Sequence, residues 1–194
     1  EAPGIWVRVA GLHASVVGWS EASSALARVE RAERSADWAA LACRVGDATG
    51  DRALAAEGAE LRARSTSDPK ERAQWLRRAA ALHWWDLDRP ESAQALLREA
   101  HELVPVDAAT TLAEAEATAE ARDVPAARRQ LEEALAVLPA ASAGTLWLTL
   151  SELCAEQGDD KRSQEALLHA YRNLPEDAAL WGRVGSLARH QHLA

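Results

Sequence analysis

The stretch that decides the fold is residues 144–177, GTLWLTLSELCAEQGDDKRSQEALLHAYRNLPED. Its apolar and small residues recur every three or four positions in two runs, which the pair Gly158-Asp159 separates. This spacing is typical of two amphipathic helices joined by a short turn. Pro175 follows the second run, and proline cannot continue a helix because it lacks the amide hydrogen. The stretch therefore predicts an antiparallel helix pair.

The same pattern recurs upstream at a nearly constant interval. Pro105, Pro139 and Pro175 are 34 and 36 residues apart, and the longer interval predicts a two-residue insertion within Ala140–Ala143. A small residue, a leucine and an alanine precede each proline at fixed offsets. These are Ala93, Leu97 and Ala100, then Ala127, Leu131 and Ala134, then Ser163, Leu167 and Ala170. Self-similarity at this period indicates a stack of helix pairs.

Several helix starts are marked by aspartate, whose side chain caps the free amides of a first turn. Asp68 precedes Pro69, and Asp107 precedes Ala108. Asp88 and Asp123 each stand two residues before a proline, which favours the start of a second helix there. Near the N-terminus, 18–22 (GWSEA) has the character of a turn between two helices.

The first helix of residues 144–177 contains Trp147, Leu150, Ser151 and Cys154. The spacing Trp-x2-Leu-small-x2-Cys, followed by small-x3-Leu-x2-Ala and Pro, resembles the tetratricopeptide repeat (TPR) pattern. The resemblance covers nearly the whole chain and implies an all-α, right-handed α-solenoid of stacked antiparallel helix pairs. Arg outnumbers Lys twenty to two and Phe is absent, which indicates a GC-rich genome and a TPR protein of bacterial type.

The resemblance implies one domain over residues 1–194, with five repeats and a capping helix. We expect the repeats at about 3–36, 37–69, 74–107, 108–141 and 144–177, and the capping helix at 178–192. The second repeat matches least well. Its first helix has Trp38, Leu41, Ala42 and Val45 in place, whereas Leu54, Gly58 and Leu61 fit the second helix poorly. Its register therefore stays open by one or two residues.

Composition excludes several architectures and partners. Alanine supplies 45 of the 194 residues, whereas Ile and Tyr occur once each, so the composition favours helix over strand. The net charge is −8 and the pI about 5.3, so the basic surface that nucleic acid or an anionic membrane requires is missing. No apolar run approaches the roughly 18 residues that a membrane-spanning helix needs.

The sequence contains no recognisable catalytic or metal-binding motif. His190 and His192 are two residues apart, so on a helix they would point in different directions. Cys43 and Cys154 fall in different predicted repeats and form neither a disulfide framework nor a zinc pattern. We therefore expect no enzyme activity, no catalytic residues, no metal and no cofactor.

In TPR-like stacks the first helices line the concave side, so the resemblance implies a binding groove. Its side chains would be Trp75, Arg78, Leu82, Trp85, Leu112, Glu116, Glu120, Leu148, Glu152 and Glu156. The same register places Ala39 and Cys43 outward in the second repeat, and it places Trp84 inward beside an outward Trp85. The groove would be apolar in its middle and acidic in its C-terminal half. A partner with an apolar anchor followed by Lys or Arg would complement it.

Each of these interpretations has a plainer alternative. Both Trp84 and Trp85 could belong to the core, and acidic residues on a helix surface often serve only solubility. The main function hypothesis is a module that binds a protein or peptide in its groove. The alternatives are a structural scaffold subunit of a larger bacterial assembly and a non-catalytic regulatory domain of a larger protein. The compartment stays open; we favour the cytoplasm over the periplasm or envelope.

Overall fold

The computed structural model describes residues 3–105 and 107–174, and helices occupy most of both ranges. The helices are α1 (Pro3–Ser15), α2 (Trp19–Leu26), α3 (Ala36–Thr49), α4 (Arg52–Ser65), α5 (Pro69–Ala81), α6 (Pro90–Leu103), α7 (Ala108–Glu120), α8 (Val124–Val137), α9 (Gly144–Glu156) and α10 (Asp160–Asn173). No strand occurs in these two ranges. The prediction of an all-α fold made of helix pairs is confirmed.

The chain forms two compact units, divided between Pro105 and Val106. In the first unit α1 packs on α2, α3 on α4 and α5 on α6, and neighbouring pairs also touch. In the second unit α7 packs on α8 and α9 on α10, while α9 also contacts α7 and α8. The single domain over residues 1–194 stays a prediction, and the capping helix 178–192 lies outside the described residues.

All five pairs are joined by the same kind of turn. One residue adopts a left-handed conformation two positions before the second helix begins. These residues are Val17, Gly50, Asp88, Arg122 and Gly158, with φ of 62°, 75°, 52°, 64° and 73°. Only two of them are glycine, although this conformation costs other residues about 1–2 kcal/mol. Packing of the helix pair therefore imposes the turn.

Aspartate caps the helices where the sequence predicts it. The Asp68 side chain accepts hydrogen bonds from the amides of Lys70 and Glu71, and Asp107 accepts one from Thr110. Asp51, Asp123 and Asp159 cap α4, α8 and α10 in the same way. The predicted start of α6 at Pro90 is also confirmed. The prediction of a turn over residues 18–22 is wrong, because α2 begins at Trp19 and the turn before it ends at Gly18.

The third pair is longer than the others. In the other four pairs the second helix begins 16 residues after the first, whereas α6 begins 21 residues after α5. The additional five residues correspond to a π-helical turn at Leu82–Asp86, where the Leu87 amide donates to the Leu82 carbonyl at 3.1 Å. The predicted repeat boundary at residue 74 is therefore wrong, because α5 begins at Pro69. Counting back with a constant period cannot detect such an extension.

The second repeat is out of its predicted register by one residue. Aligning the starts of α3 and α9 matches Trp38 with Leu146 and Ala55 with Ser163. Trp38 is fully buried, and its indole nitrogen donates to the Leu26 carbonyl at 3.2 Å. Ala39 and Cys43, which the sequence predicted to face outward, are instead buried. The predicted register was wrong because it matched Trp38 of the second repeat with Trp147 of the fifth.

Glycine brings α3 and α4 into backbone contact. A Cβ atom on Gly58 would lie 2.8 Å from the Cys43 amide nitrogen and 2.9 Å from the Ala39 carbonyl oxygen. A Cβ atom on Gly46 would lie 2.6 Å from the Ala55 amide nitrogen. Real Cβ atoms essentially never come this close to backbone atoms, so neither position accepts a side chain without moving a helix.

We expect Gly58→Ala to destabilise the first unit by about 1–3 kcal/mol, since the new methyl group forces α3 and α4 apart. The matched control is Gly11→Ala in α1, where the nearest atom to a new Cβ is Leu41 Cδ1 at 3.8 Å. That control should gain about 0.5–1 kcal/mol from the reduced backbone entropy of the unfolded chain. Urea unfolding followed by circular dichroism measures both changes. A Gly58→Ala protein as stable as wild type would contradict the close packing.

Candidate protein-binding surfaces

Four predicted groove residues lie on α5 and its π-helical extension, and they do not form one open surface. They are Trp75, Arg78, Leu82 and Trp85. Leu82 is only 9% exposed and packs against Ala55 and Ala56 of α4, so it belongs to the core. Trp75 is half-buried, with the guanidinium groups of Arg62 and Arg78 at 4.2 Å and 5.6 Å from its ring centroid. The prediction that Leu82 faces a partner is wrong because α4 covers that side of α5.

Trp75 and Arg78 both have partners inside the first unit. The Trp75 indole nitrogen donates to Glu71 Oε1 at 3.3 Å, and Arg78 forms an ion pair with Asp47 of α3. Stacked guanidinium groups and ion pairs of this kind hold α3, α4 and α5 together. A partner would have to compete with these contacts to use either side chain.

Trp85 is the large apolar side chain of the π-helical turn that reaches solvent. It is 60% exposed, whereas Trp84 is half-buried, and the two rings meet edge to face with centroids 6.4 Å apart. His83 and Asp86 fasten the turn to α4. His83 Nε2 lies 2.8 Å from Glu60 Oε1, and Asp86 Oδ1 lies 3.3 Å from the Arg52 guanidinium.

In the second unit, α7 and α9 carry the predicted leucines and glutamates side by side. We call this set the acidic face; its members are Leu112, Glu116 and Glu120 of α7 and Leu148, Glu152 and Glu156 of α9. They are four residues apart on each helix, so each set of three lies on one side of its helix. The leucines are half-buried and the four glutamates are exposed. Neither helix contains a Lys, Arg or His.

The two helices of the acidic face are close enough for their charges to interact. The pKa of the Glu116 carboxyl is raised above its ordinary value, first because surrounding residues remove water from it and second because of the Glu152 carboxylate. The face therefore places carboxylates near one another on helices that have no base. A cationic group placed here would relieve the repulsion.

Elsewhere in the second unit, arginines and acids neutralise one another. Arg128 Nη2 lies 2.8 Å from Asp159 Oδ2, and Arg162 Nε lies 3.5 Å from Glu132 Oε1. The pKa of the Asp159 carboxyl is lowered by the hydrogen bond from the Arg162 backbone amide and by Arg128. These pairs connect α8 and the start of α10. The arginines are thus on different helices from the acidic face.

The first helix exposes a second surface, which sequence reasoning missed. We call it the α1 stripe; its apolar members are Ile5 and Leu12 of α1 and Val16 and Val17 of the turn that follows it, which are 45%, 70%, 74% and 69% exposed. The sequence signal was present, because α1 has apolar residues on both of its sides. The pattern predicts a helix buried all round, and only the packing shows which side is left open.

The described residues give no support to metal, thiol or transmembrane chemistry. Cys43 and Cys154 are buried free thiols, and burial raises the pKa of both, which disfavours the reactive thiolate. Within residues 3–105 and 107–174 there is no group of three or more His, Cys, Asp or Glu side chains that could hold a metal ion. Over the same ranges, the helices are too short or too polar to cross a bilayer. His190 and His192 lie outside this part of the chain.

Comparison with solved structures identifies the fold. The chain resembles TTC0263, a thermophilic TPR protein in Thermus thermophilus, with 19% sequence identity, a TM-score of 0.60 and coverage of 95% of this chain and 98% of that chain. It resembles YrrB, a TPR protein with an unusual peptide-binding site, with 16% identity, a TM-score of 0.63 and coverage of 93% and 90%. MamA matches with 13% identity, a TM-score of 0.66 and coverage of 92% and 95%. The helical-repeat fold is therefore of the TPR type.

No family model matches the sequence, and no curated protein matches it either. These three structural neighbours have 13% to 19% identity with the chain, so they establish its fold and leave its activity and partner to be argued from its own residues.

We expect Glu116→Gln to stabilise the second unit at pH 7. A carboxyl whose pKa is raised by folding weakens the folded state once it is ionised, and the glutamine removes that cost. The advantage of the variant should disappear as the pH falls below about 4.3, the ordinary pKa of glutamate, since both states are then protonated. Thermal melts at pH 7 and at acidic pH measure this, with Glu133→Gln on α8 as the control. A Glu116→Gln protein that melts below wild type at pH 7 would refute the assignment.

Proposed function

We propose that the chain is a non-catalytic protein-interaction module and that the acidic face of α7 and α9 binds its partner. The partner is a helix or peptide with an apolar anchor and with Lys or Arg one or two turns away. The observation that carries the proposal is the pairing of half-buried Leu112 and Leu148 with four exposed glutamates on two helices that have no base.

The leucines and the glutamates of the acidic face contribute to binding in different ways. The leucines offer apolar surface that a partner can remove from water, which supplies affinity. The glutamates select a cationic partner and accelerate its encounter, while like-charged competitors are repelled. The raised pKa of Glu116 supports this, because a bound cation would favour its ionised form. The description of YrrB as a TPR protein with a peptide-binding site agrees with such a use of the fold.

In the first unit, Trp85 is the side chain that we assign to partner binding. An exposed tryptophan on a turn that His83 and Asp86 fasten to α4 is pre-organised, and tryptophan is enriched among residues that dominate interfaces. Trp75 and Arg78 contribute less in this proposal because each already has partners within the unit.

A structural scaffold subunit is the second candidate, and the α1 stripe favours it. Four exposed apolar side chains on α1 and the turn after it are unusual for a surface that meets only water. A scaffold would bury this stripe permanently, whereas a peptide-binding module would use the acidic face. Variants on the two surfaces separate these roles.

We expect Glu116→Lys/Glu152→Lys to weaken binding of a cationic model helix at least about tenfold. The probe is a fluorescent amphipathic peptide with leucines four residues apart and arginines on the following turns, titrated at low and physiological salt. The matched control is Glu102→Lys/Glu133→Lys, which makes the same charge change on α6 and α8. A peptide with Glu in place of Arg should not bind.

Equal weakening by the two double variants would contradict the proposal, because net charge alone would then explain the binding. Trp85→Ala tests the first unit separately. If the acidic face is sufficient for this probe, Trp85→Ala leaves the affinity unchanged.

A further inference from the structure

The α1 stripe has the geometry of a helix face that docks into an apolar surface. Ile5, Leu12 and Val16 are exposed, and half-buried Val9 lies between them in sequence. Within α1, positions 5, 9 and 12 follow the i, i+4, i+7 spacing of one helix face, which is the pattern by which a helix is held in a groove. Val9 also packs against the core of the unit, and Val16 lies in the turn directly after the helix. The opposite side of α1 carries Ala10 and Ala14, both buried against the rest of the unit.

The end of the stripe shows that its apolar character is not required by the fold. Val17 occupies the left-handed position of the turn after α1, where the turns after α3 and α9 have Gly50 and Gly158. A β-branched residue is strained in this conformation, and Val17 buries little, since it is 69% exposed. The apolar side chain of Val17 therefore contributes little to the packing of its own unit.

Charge indicates what covers the stripe. Helix α1 contains no Asp or Glu, and the exposed Arg8 lies beside the stripe, with its Nε 3.3 Å from the Gly4 carbonyl. The acidic face has the opposite character, with Leu112 and Leu148 beside glutamates and no base on α7 or α9. The chain therefore carries both halves of a complementary contact, one in each unit.

We propose that α1 of one copy docks on the acidic face of a second copy, so that the chain assembles head to tail. The inference rests on the proposed function, because it names the partner of the same acidic face. Leu12 and Val16 would pack on the two leucines, while Arg8 would approach the glutamates. A contact between two different surfaces leaves one free surface at each end, so it generates rings or open filaments.

A symmetric dimer through two α1 stripes fits the charges less well. It would place two Arg8 side chains on an interface whose helices carry no acid, and it would bring no cation to the acidic face. The head-to-tail arrangement satisfies both surfaces at once. The two arrangements also differ in what mixtures of variants do.

The test is sedimentation velocity of the 194-residue chain over a concentration series, at low and high salt. Wild type should shift from monomer to larger species as concentration rises, and added salt should reduce the shift. Leu12→Asp and Glu116→Lys/Glu152→Lys should each weaken self-association at least about tenfold. Val137→Asp is the matched control, because Val137 is 67% exposed on α8 and belongs to neither surface. Circular dichroism checks that each variant folds.

Mixing the two interface variants gives the sharper result. The Leu12→Asp copy keeps its acidic face, and the charge-reversed copy keeps its α1 stripe, so an equal mixture should form one-to-one dimers that cannot grow. A symmetric α1 contact predicts instead that the charge-reversed variant associates alone and that mixing restores nothing.

The proposal is overturned if wild type stays monomeric throughout, if Leu12→Asp associates like wild type, or if the mixture forms no dimer. The model peptide tests whether the acidic face binds a cationic helix at all, separately from whether a second copy is its partner. Binding of that peptide without self-association would leave the acidic face as a binding surface and reject the second copy as its partner. Failure of both would reject the proposed function as well.

Discussion

The rest of the structure depends on how closely the two helices of each pair approach. Small residues at fixed positions allow this approach: Gly58 touches the backbone of α3, Ala127 is fully buried in the α7–α8 pair, and the hydroxyls of Ser151 and Ser163 meet at 3.1 Å. Because the pairs are this tight, larger side chains are displaced to the seams between pairs, where Trp38 and Leu131 fill the space. The close approach also fixes the turn between the helices, and that turn sets where each second helix begins.

Much of this could be read from the sequence because the packing requirement repeats. Small residues, leucines and prolines at a constant interval predicted the helix pairs, and aspartates predicted several helix starts. The prediction failed where the position of a repeat was assigned from a constant period or from a single marker residue. Because of the five-residue extension, the third pair begins at Pro69, which Asp68 marked, and the constant period placed the repeat at residue 74. Trp38 aligned with Leu146, although the sequence suggested Trp147. Both failures concern spacing, which depends on contacts with a neighbouring helix.

The candidate surfaces divide along the same line. The acidic face was implied by the TPR resemblance together with helix spacing, since α7 and α9 are regular and follow the expected interval, although its use stays a prediction. Leu82 could not be assigned, because its burial depends on Ala55 and Ala56 of α4, which belongs to the preceding pair. The α1 stripe was missed for the opposite reason: its exposure results from a side that no described helix covers. The distribution of charge distinguishes the surfaces further, since Arg128 of α8 and Arg162 of α10 are paired with acids while the helices of the acidic face carry no base.

The left-handed turn residue has a consequence for how such a chain can change over evolution. Glycine is the usual marker of this backbone conformation, yet Val17, Asp88 and Arg122 hold it as well, since the packed helices on either side outweigh the local strain. Glycine can therefore be lost from these turns while the left-handed backbone conformation is retained. A fold maintained in this way is free to drift in sequence at its turns as well as on its surface, and its ancestry becomes hard to trace by sequence long before its shape is lost.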